Sequence, residues 1–333
     1  MNANPSAQVT PEPIMQIATG FMASKHLFVA SAIDLFAAMG DGPATLAELA
    51  QRTGVPARTA RISADAMVAL GLVVKHGERY ANGPVAQSFL AGKTPADLRP
   101  FLRFWDRISY EKWKGLEQSV RTGEGVERGR RATPEDAKIF SEGVAAVTAG
   151  SARALLTAYD WSRHHRVLDL GGGTGSFLAA LLGAHPTLRG TLVEFPEAAA
   201  VARVHLARTP VAHRIEVVEG SFLEIPLPKG HDAVLLANVV HVLSPEHNQL
   251  LLRRIRASVE PGTRLLLVDF WLNRERTEPL HGALLSGEFL VLTGEGESYS
   301  VDEISGWLAE TGWKKVHHGP LAGPASLVTA EAV

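Results

Sequence analysis

The residues of this chain best placed to do chemistry lie in Val167-Leu168-Asp169-Leu170-Gly171-Gly172-Gly173-Thr174-Gly175-Ser176, an apolar run that ends in an acid and a string of glycines. Glycines at a strand-to-helix turn let the backbone approach a ligand closely, and their missing side chains leave it room. A dinucleotide fingerprint would read G-x-G-x-x-G/A, but from Gly171 its last place falls on Ser176. No Lys-Ser/Thr pair follows the glycines, which argues against a phosphate-cradling P-loop. The spacing is instead acid-x-Gly-x-Gly-x-Gly, from Asp169 through Gly171 and Gly173 to Gly175. Further along, Glu194 in LVEFP stands where Rossmann-like folds put an acid to accept hydrogen bonds from ribose hydroxyls. Such an acid serves NAD as well as other adenosine cofactors, so Glu194 points to an adenosine without choosing among them.

The elements that must position these residues alternate in type. RVLDLGGG reads as a strand, SFLAALLGAH as a helix, GTLVEF as a strand, EAAAVARVHLA as a helix and RIEVVEG as a strand. DAVLLANVVHVL then reads as a strand with its outgoing loop, NQLLLRRIRASV as a helix and RLLLVDFWL as a strand. Apolar strands bounded by glycine and separated by helices predict an α/β fold, a doubly wound and mainly parallel sheet covered on both faces, which binds its ligand at the carboxyl ends of the strands. The N-terminal part differs: from Ile14 to about Gly92 the pattern is helical. Within it Thr45, with Glu48 three residues on, caps a short helix; Gly54 turns the chain; and a second helix runs to about Leu70. KHGERYANG follows as a tight hairpin, which completes a winged helix-turn-helix pattern. A DNA-binding regulator is therefore one reading. Against it, the would-be recognition helix carries Arg58 and Arg61 beside Asp65 and is otherwise Ala, Met, Val and Leu, a composition suited to burial.

FLRFWDRISYEKW concentrates aromatic rings in a chain that is only 7% aromatic, either as a lid over an apolar substrate or as core packing of a connecting helix. RTGEGVERGRRATPED reads as a charged loop, and His164-His165 and His317-His318 read as solvated. These features set domain bounds at 1–13 for a mobile lead-in, 14–95 for the winged-helix domain, 96–150 for an aromatic helical linker and 151–333 for the Rossmann-like domain.

Composition narrows the chemistry. The 333 residues contain no cysteine, which excludes disulfides, Cys-ligated zinc, iron–sulfur clusters and thiol nucleophiles. A formal net charge of -2, with 33 Lys+Arg against 35 Asp+Glu, makes no electrostatic case for nucleic acid or an anionic membrane, so the expected partner is a small molecule. No stretch approaches the roughly 20 apolar residues of a membrane span, and the first residues lack a signal-peptide pattern, so the chain reads as cytoplasmic.

The acid-x-Gly-x-Gly-x-Gly pattern resembles motif I of the class I S-adenosylmethionine-dependent methyltransferases. The resemblance extends over nearly the whole chain to the small-molecule O-methyltransferases of plant caffeic-acid and bacterial natural-product type, with their N-terminal winged-helix dimerisation domain. It implies that the glycine loop surrounds the methionine portion of S-adenosylmethionine, with Asp169 near its amino end. Gly220-Ser221-Phe222 resembles the family's Gly-Asp-Met/Phe segment beside adenine, with Phe222 stacking on the base and Ser221 in place of Asp; Asn238 joins the same cofactor set. NVVHVLSPEHN resembles the family's His-Asp-Trp-Ser-Asp-Glu region, which makes His241 the catalytic base and Asp269, in LLLVDF, its acidic partner. Two places depart from the family: Val242 replaces the Asp after the histidine, and Ser298, beside Glu297, replaces a later Glu.

By the same resemblance Phe101, Trp105, Trp113, Phe289 and Leu292 wall the substrate, and Phe21 or Met22 reaches into a twin subunit's pocket in a homodimer. His281 lies 40 residues from His241, a separation that fits no compact ligand motif, and no metal is expected. The function implied is S-adenosylmethionine-dependent O-methylation of a small aromatic or polyketide-like hydroxyl in secondary metabolism. The departures at Val242 and Ser298 keep open a C-methyltransferase acting on a 2-oxo acid or similar carbon acid, and a relative that binds the cofactor without transferring its methyl group.

Overall fold

The computed structural model describes residues 9–126 and 133–333. The first eight residues of the expected lead-in and the middle of the charged loop lie outside the described residues. The chain divides into two compact units, 1–106 and 107–333.

In the first unit, helix α1 (Glu12–Ala32) begins two residues inside the stretch read as a lead-in, because Pro13 sits in the first turn, where a missing N–H costs nothing. Strand β1 (Ala44–Thr45) leads into α2 (Leu46–Thr53), and the capping box foreseen there forms: Thr45 Oγ1 accepts from Glu48 N and the Glu48 carboxylate accepts from Thr45 N. Helix α3 (Ala57–Ala69) and the hairpin of β2 (Val73–His76) and β3 (Arg79–Asn82) follow. His76 pairs with Arg79, so the turn is Gly77-Glu78, with Gly77 at φ 59°. The three strands order β1-β3-β2, and α4 (Pro84–Phe89) and α5 (Arg99–Phe104) complete the unit. Asp65 of α3 bonds Tyr80, Lys75 and Arg61, and the Tyr80 hydroxyl in particular holds its pKa low. Part of the positive charge of α3 is thus neutralised on its own face.

The second unit opens with α6 (Tyr110–Trp113), α7 (Leu116–Thr122) and the 25-residue α8 (Pro134–Ala158). Then come β4 (Arg166–Leu170), α9 (Ser176–Ala184), β5 (Arg189–Glu194), α10 (Pro196–Leu206), β6 (Ile215–Glu219), β7 (Ala233–Ala237), α11 (Pro245–Ser258) and β8 (Arg264–Asp269). The unit ends with α12 (Leu280–Thr293), α13 (Val301–Glu310), β9 (Trp313–Ala322) and β10 (Ala325–Ala332). The strands order β6-β5-β4-β7-β8-β10-β9; the first five are parallel, and β10 runs antiparallel to β8 and β9.

The strand sequences explain why both faces are covered. Alternate side chains point to opposite faces: Leu168, Leu170, Val234, Leu236, Leu265 and Leu267 pack with α11 and α13, while Val167, Leu235, Leu266 and Val268 pack with α8, α9 and α10. A buried leucine such as Leu168 truncated to alanine costs about 2–5 kcal/mol. Asp169 falls on the Val167 face, inside this apolar layer. His164, expected in solvent, is buried: Tyr159 and Trp161, where α8 turns into β4, pack around its ring, and its Nε2 lies 2.8 Å from the Tyr159 hydroxyl. Among the described residues no helix is long and apolar enough to cross a membrane.

Candidate active site

The chain leaves β4 toward β5 on one side and later crosses to β7 on the other, so the sheet's switch point lies at the carboxyl ends of β4 and β7. The predicted cofactor residues meet at this end. Gly171, Gly173 and Gly175 all adopt left-handed backbone, with φ of 71°, 58° and 77°. A Cβ on Gly171 would press on Val239 Cγ2 at 2.8 Å, one on Gly175 would touch Leu206 at 3.0 Å, and one on Gly173 would meet nothing within 4 Å. Gly172, which the motif spacing leaves unassigned, is the tightest: a Cβ there would lie 2.2 Å from Asp169 Oδ2. The loop therefore lies directly on the Asp169 carboxyl.

Asp169 is fully buried, and neither of its oxygens has a hydrogen-bond partner. Burial, and then the charge of Glu194, push its pKa up to about 8. Glu194 ties the loop to the end of β5: one carboxylate oxygen accepts from Gly173 N at 2.9 Å, the other from Phe195 N at 2.8 Å. Burial raises the Glu194 pKa, and the two backbone donors oppose the rise. Each of its oxygens keeps a second lone pair for a further donor.

Ser221 begins the turn after β6, its hydroxyl accepting from Leu223 N. Phe222 is buried, with its ring edge facing Gly171, and Phe195 lies 5.8 Å from it, ring to ring. Phe195, which sequence reasoning passed over although it follows Glu194 directly, is half exposed and offers an open aromatic face here. Asn238 directly follows β7 at φ 60°, a left-handed conformation that asparagine tolerates better than most residues, and its N–H donates to Val268 O. A buried carboxyl without protein partners, beside glycines that hold side chains away from it, fits a ligand with a cationic and hydrogen-bonding end.

One short turn beyond Asn238 stands His241, in a 3-10 segment of Val240–Val242. Its Nδ1 lies 2.6 Å from Asp269 Oδ1 at the end of β8, and its backbone N donates to Asp269 Oδ2 at 3.3 Å. A carboxylate can only accept, so the proton of the neutral ring sits on Nδ1, and Nε2 carries the lone pair. Phe289 of α12 stacks on the ring, with centroids 3.8 Å apart and planes 12° from parallel, and Phe270 lies at 5.8 Å. Asn248 donates to Val240 O and Leu243 O, and the Tyr299 hydroxyl donates to Leu243 O, which fixes the turn. Val242 packs into the apolar core. Ser298 is buried, Glu297 turns to Arg276 at 2.8 Å and Glu295 to His247 at 2.9 Å.

The predicted substrate walls divide. Phe289 belongs to α12, and the Trp113 ring lies on Gly287 of the same helix, where a Cβ would meet it at 3.0 Å. Leu292, one turn beyond Phe289, is half-buried. Phe101 and Trp105 pack edge to face, 5.9 Å apart, within the first unit. His281 meets the Phe270 ring edge-on, and among the described residues no group of three or more His, Asp or Glu side chains is arranged to hold a metal ion. A shallow groove of about 800 Å³, lined by Trp271, Arg274, Leu280 and Asp302 among others, contains none of the predicted site residues. Sequence reasoning missed Glu288, a buried acid of α12 bonded to Ser109 and Trp113.

Residues 116–314 match the model of the O-methyltransferase domain, and residues 15–92 match that of the O-methyltransferase dimerisation domain. The chain is 31% identical over 324 residues to the tetracenomycin polyketide synthesis 8-O-methyl transferase TcmO of Streptomyces glaucescens, covering 95% of each protein. Human N-acetylserotonin methyltransferase in complex with SAM superposes with a TM-score of 0.89 at 25% identity, over 98% of this chain and 99% of that one. PigF with SAH superposes with a TM-score of 0.86 at 29% identity, over 97% of this chain and all of that one, 100%. With its catalytic-domain match spanning most of its length, the chain belongs to the O-methyltransferase family and is an S-adenosylmethionine-dependent methyltransferase.

Proposed function

We propose that this enzyme methylates a hydroxyl of a small aromatic or polyketide-like molecule of secondary metabolism in the cytoplasm, with His241 as general base, and works as a homodimer. The observation that carries the reading is the 2.6 Å contact between His241 Nδ1 and Asp269, which leaves Nε2 as the ring's proton acceptor. The similarity to TcmO, named for polyketide O-methylation, supports the substrate class, and the dimerisation match at residues 15–92 supports the assembly.

When bound, S-adenosylmethionine supplies an electrophilic methyl group on sulfonium. Asp169 and the loop of Gly171, Gly173 and Gly175 would hold its amino-acid end, Glu194 its ribose, and Ser221, Phe222 and Asn238 its adenine side. The protein's part in the chemistry is to hold the acceptor hydroxyl in line and to remove its proton. His241 Nε2 takes that proton as the oxygen becomes nucleophilic, and Asp269 stabilises the resulting imidazolium through Nδ1. Phe289 and Phe270 hold the ring in one orientation and shield it from water. Trp113, Phe289 and Leu292 are proposed to line the acceptor pocket. Residues 14–95 are proposed as the dimerising domain, 96–150 as linker and 151–333 as the cofactor-binding domain.

The test is turnover of hydroxylated naphthalenes and anthraquinones, followed by release of S-adenosylhomocysteine and product mass. His241→Ala should lower kcat by about 100-fold or more, in the range of general-base loss, while calorimetric binding of S-adenosylmethionine stays unchanged. Unchanged kcat would remove His241 from the role of base.

A further inference from the structure

Among the described residues, two carboxyl side chains leave a buried oxygen without a hydrogen-bond partner: Asp169, beneath the cofactor loop, and Glu288. Glu288 is 3% exposed. Its Oε2 accepts from the Ser109 hydroxyl at 2.6 Å and from the Trp113 indole N–H, while Oε1 is the unpartnered atom. The carboxyl is therefore built into place from three elements of the second unit, with one oxygen occupied twice and the other buried without a partner. Burying such an oxygen unpaired is unfavourable, and native folds tolerate it mainly where a ligand or a functional demand compensates. Glu288 also directly precedes Phe289, the residue stacked on His241, and neighbouring Cα atoms lie about 3.8 Å apart. Its bonding partner Trp113 and its neighbour Phe289 are both proposed walls of the acceptor pocket.

We infer that Glu288 is a specificity-determining residue whose Oε1 receives a hydrogen bond from a second donor on the methyl acceptor, so that the preferred acceptor carries a non-reacting hydroxyl or N–H besides the hydroxyl that is methylated. The inference rests on the O-methyltransferase reading above. A polar group aimed at a substrate donor discriminates strongly against an analogue lacking it, because the analogue leaves the group desolvated and unpaired.

Glu288→Gln makes the test sharp. Trp113 Nε1 can only donate, so the amide oxygen of glutamine must stay at the Oε2 place and its NH2 falls where Oε1 was. The acceptor becomes a donor with shape retained. For the best substrate among hydroxylated naphthalenes and anthraquinones, each non-reacting hydroxyl is replaced in turn by methoxy, and kcat/KM is measured. In the wild type one replacement should lower kcat/KM at least about tenfold. In Glu288→Gln the same replacement should cost less than about threefold, with binding of S-adenosylmethionine unchanged. Should thermal unfolding show Glu288→Gln to be destabilised, Trp113→Phe, which frees the carboxyl to turn, should blunt the same discrimination. Equal discrimination by wild type and variant, or indifference of the wild type to every replacement, overturns the role of Glu288 while leaving the methyl-transfer reading intact. Failure of the wild type to methylate any compound of the series overturns the aromatic-hydroxyl reading, and this inference with it.

Discussion

A carboxylate has no proton to give, and that fixes which nitrogen of His241 is basic. Asp269 accepts from His241 Nδ1 and Phe270 N at one oxygen and from His241 N at the other; Asp269→Asn sets an NH2 against one of these donors and removes the negative charge that stabilises the imidazolium. We expect Asp269→Asn to cost about 100-fold or more in kcat with little change in the KM for the cofactor; kcat within a few-fold of wild type would show that the Asp269 charge does not support the base. Asp169 makes a second expectation, about pH. Its native pKa is raised from an ordinary 3.8 to about 8. Below pH 3.8 both native and unfolded chains hold its proton, so it contributes no difference. Between these values the native state binds the proton and the unfolded state has lost it, so stability falls as pH rises, and the loss is complete above about 8. The ligand-free protein should therefore lose thermal stability from pH 5 to pH 8.5 more steeply than Asp169→Asn, as read by calorimetric unfolding. Parallel curves would mean that Asp169 is already ionised in the fold. Other buried groups, Glu194 and Glu288 among them, titrate in both proteins and cancel in the comparison.

At the scale of the element, the glycine loop divides its work among residues that look alike in sequence. Gly172 is small because Asp169 and Leu192 lie beneath it, whereas Gly173 is glycine because its φ is 58°, with open space where a Cβ would stand. Gly172→Ala should therefore lower the melting temperature of the ligand-free protein markedly. Gly173→Ala should cost only the roughly 1–2 kcal/mol of a left-handed L-residue and show its main effect as weakened S-adenosylmethionine binding. Thermal unfolding with and without ligand separates the two; equal effects on the ligand-free protein would refute the division. The loop itself, the parallel strands around it and the Thr45 cap were legible in the sequence because each depends on neighbours within a few residues. Glu288 was not, because its partners Ser109 and Trp113 are 179 and 175 residues away, and an acid in an apolar helix carries no local mark of burial. His164 was misread for a similar reason: a histidine before a strand looks solvated until Tyr159 and Trp161 fold over it.

For the whole molecule, the feature that demands a partner is α1. Ile14, Ile17 and Phe21 recur at helical spacing, with Met15 and Met22 beside them, and all five are between 52% and 83% exposed. So continuous an exposed apolar strip marks an interaction surface, and three occupants could cover it: a lipid surface, an unrelated protein or a second copy. A net charge of -2 gives an anionic membrane no electrostatic purchase. The dimerisation-domain match begins at residue 15, inside this strip, and a homodimer lets the same strip meet itself or its twin's neighbouring surface about a two-fold axis. Light scattering of the purified protein at micromolar concentration should give twice the chain mass. Ile17→Glu with Phe21→Glu should shift it toward the monomer, since each glutamate would have to lose its hydration at a closed apolar contact. The substitutions lie on an exposed helix face of the first unit, and the residues proposed to hold the cofactor all belong to the second, so calorimetric binding of S-adenosylmethionine by the resulting monomer should persist. A wild type that is monomeric at this concentration, or a double variant that remains a full dimer, would place the contact elsewhere and leave α1 to another partner.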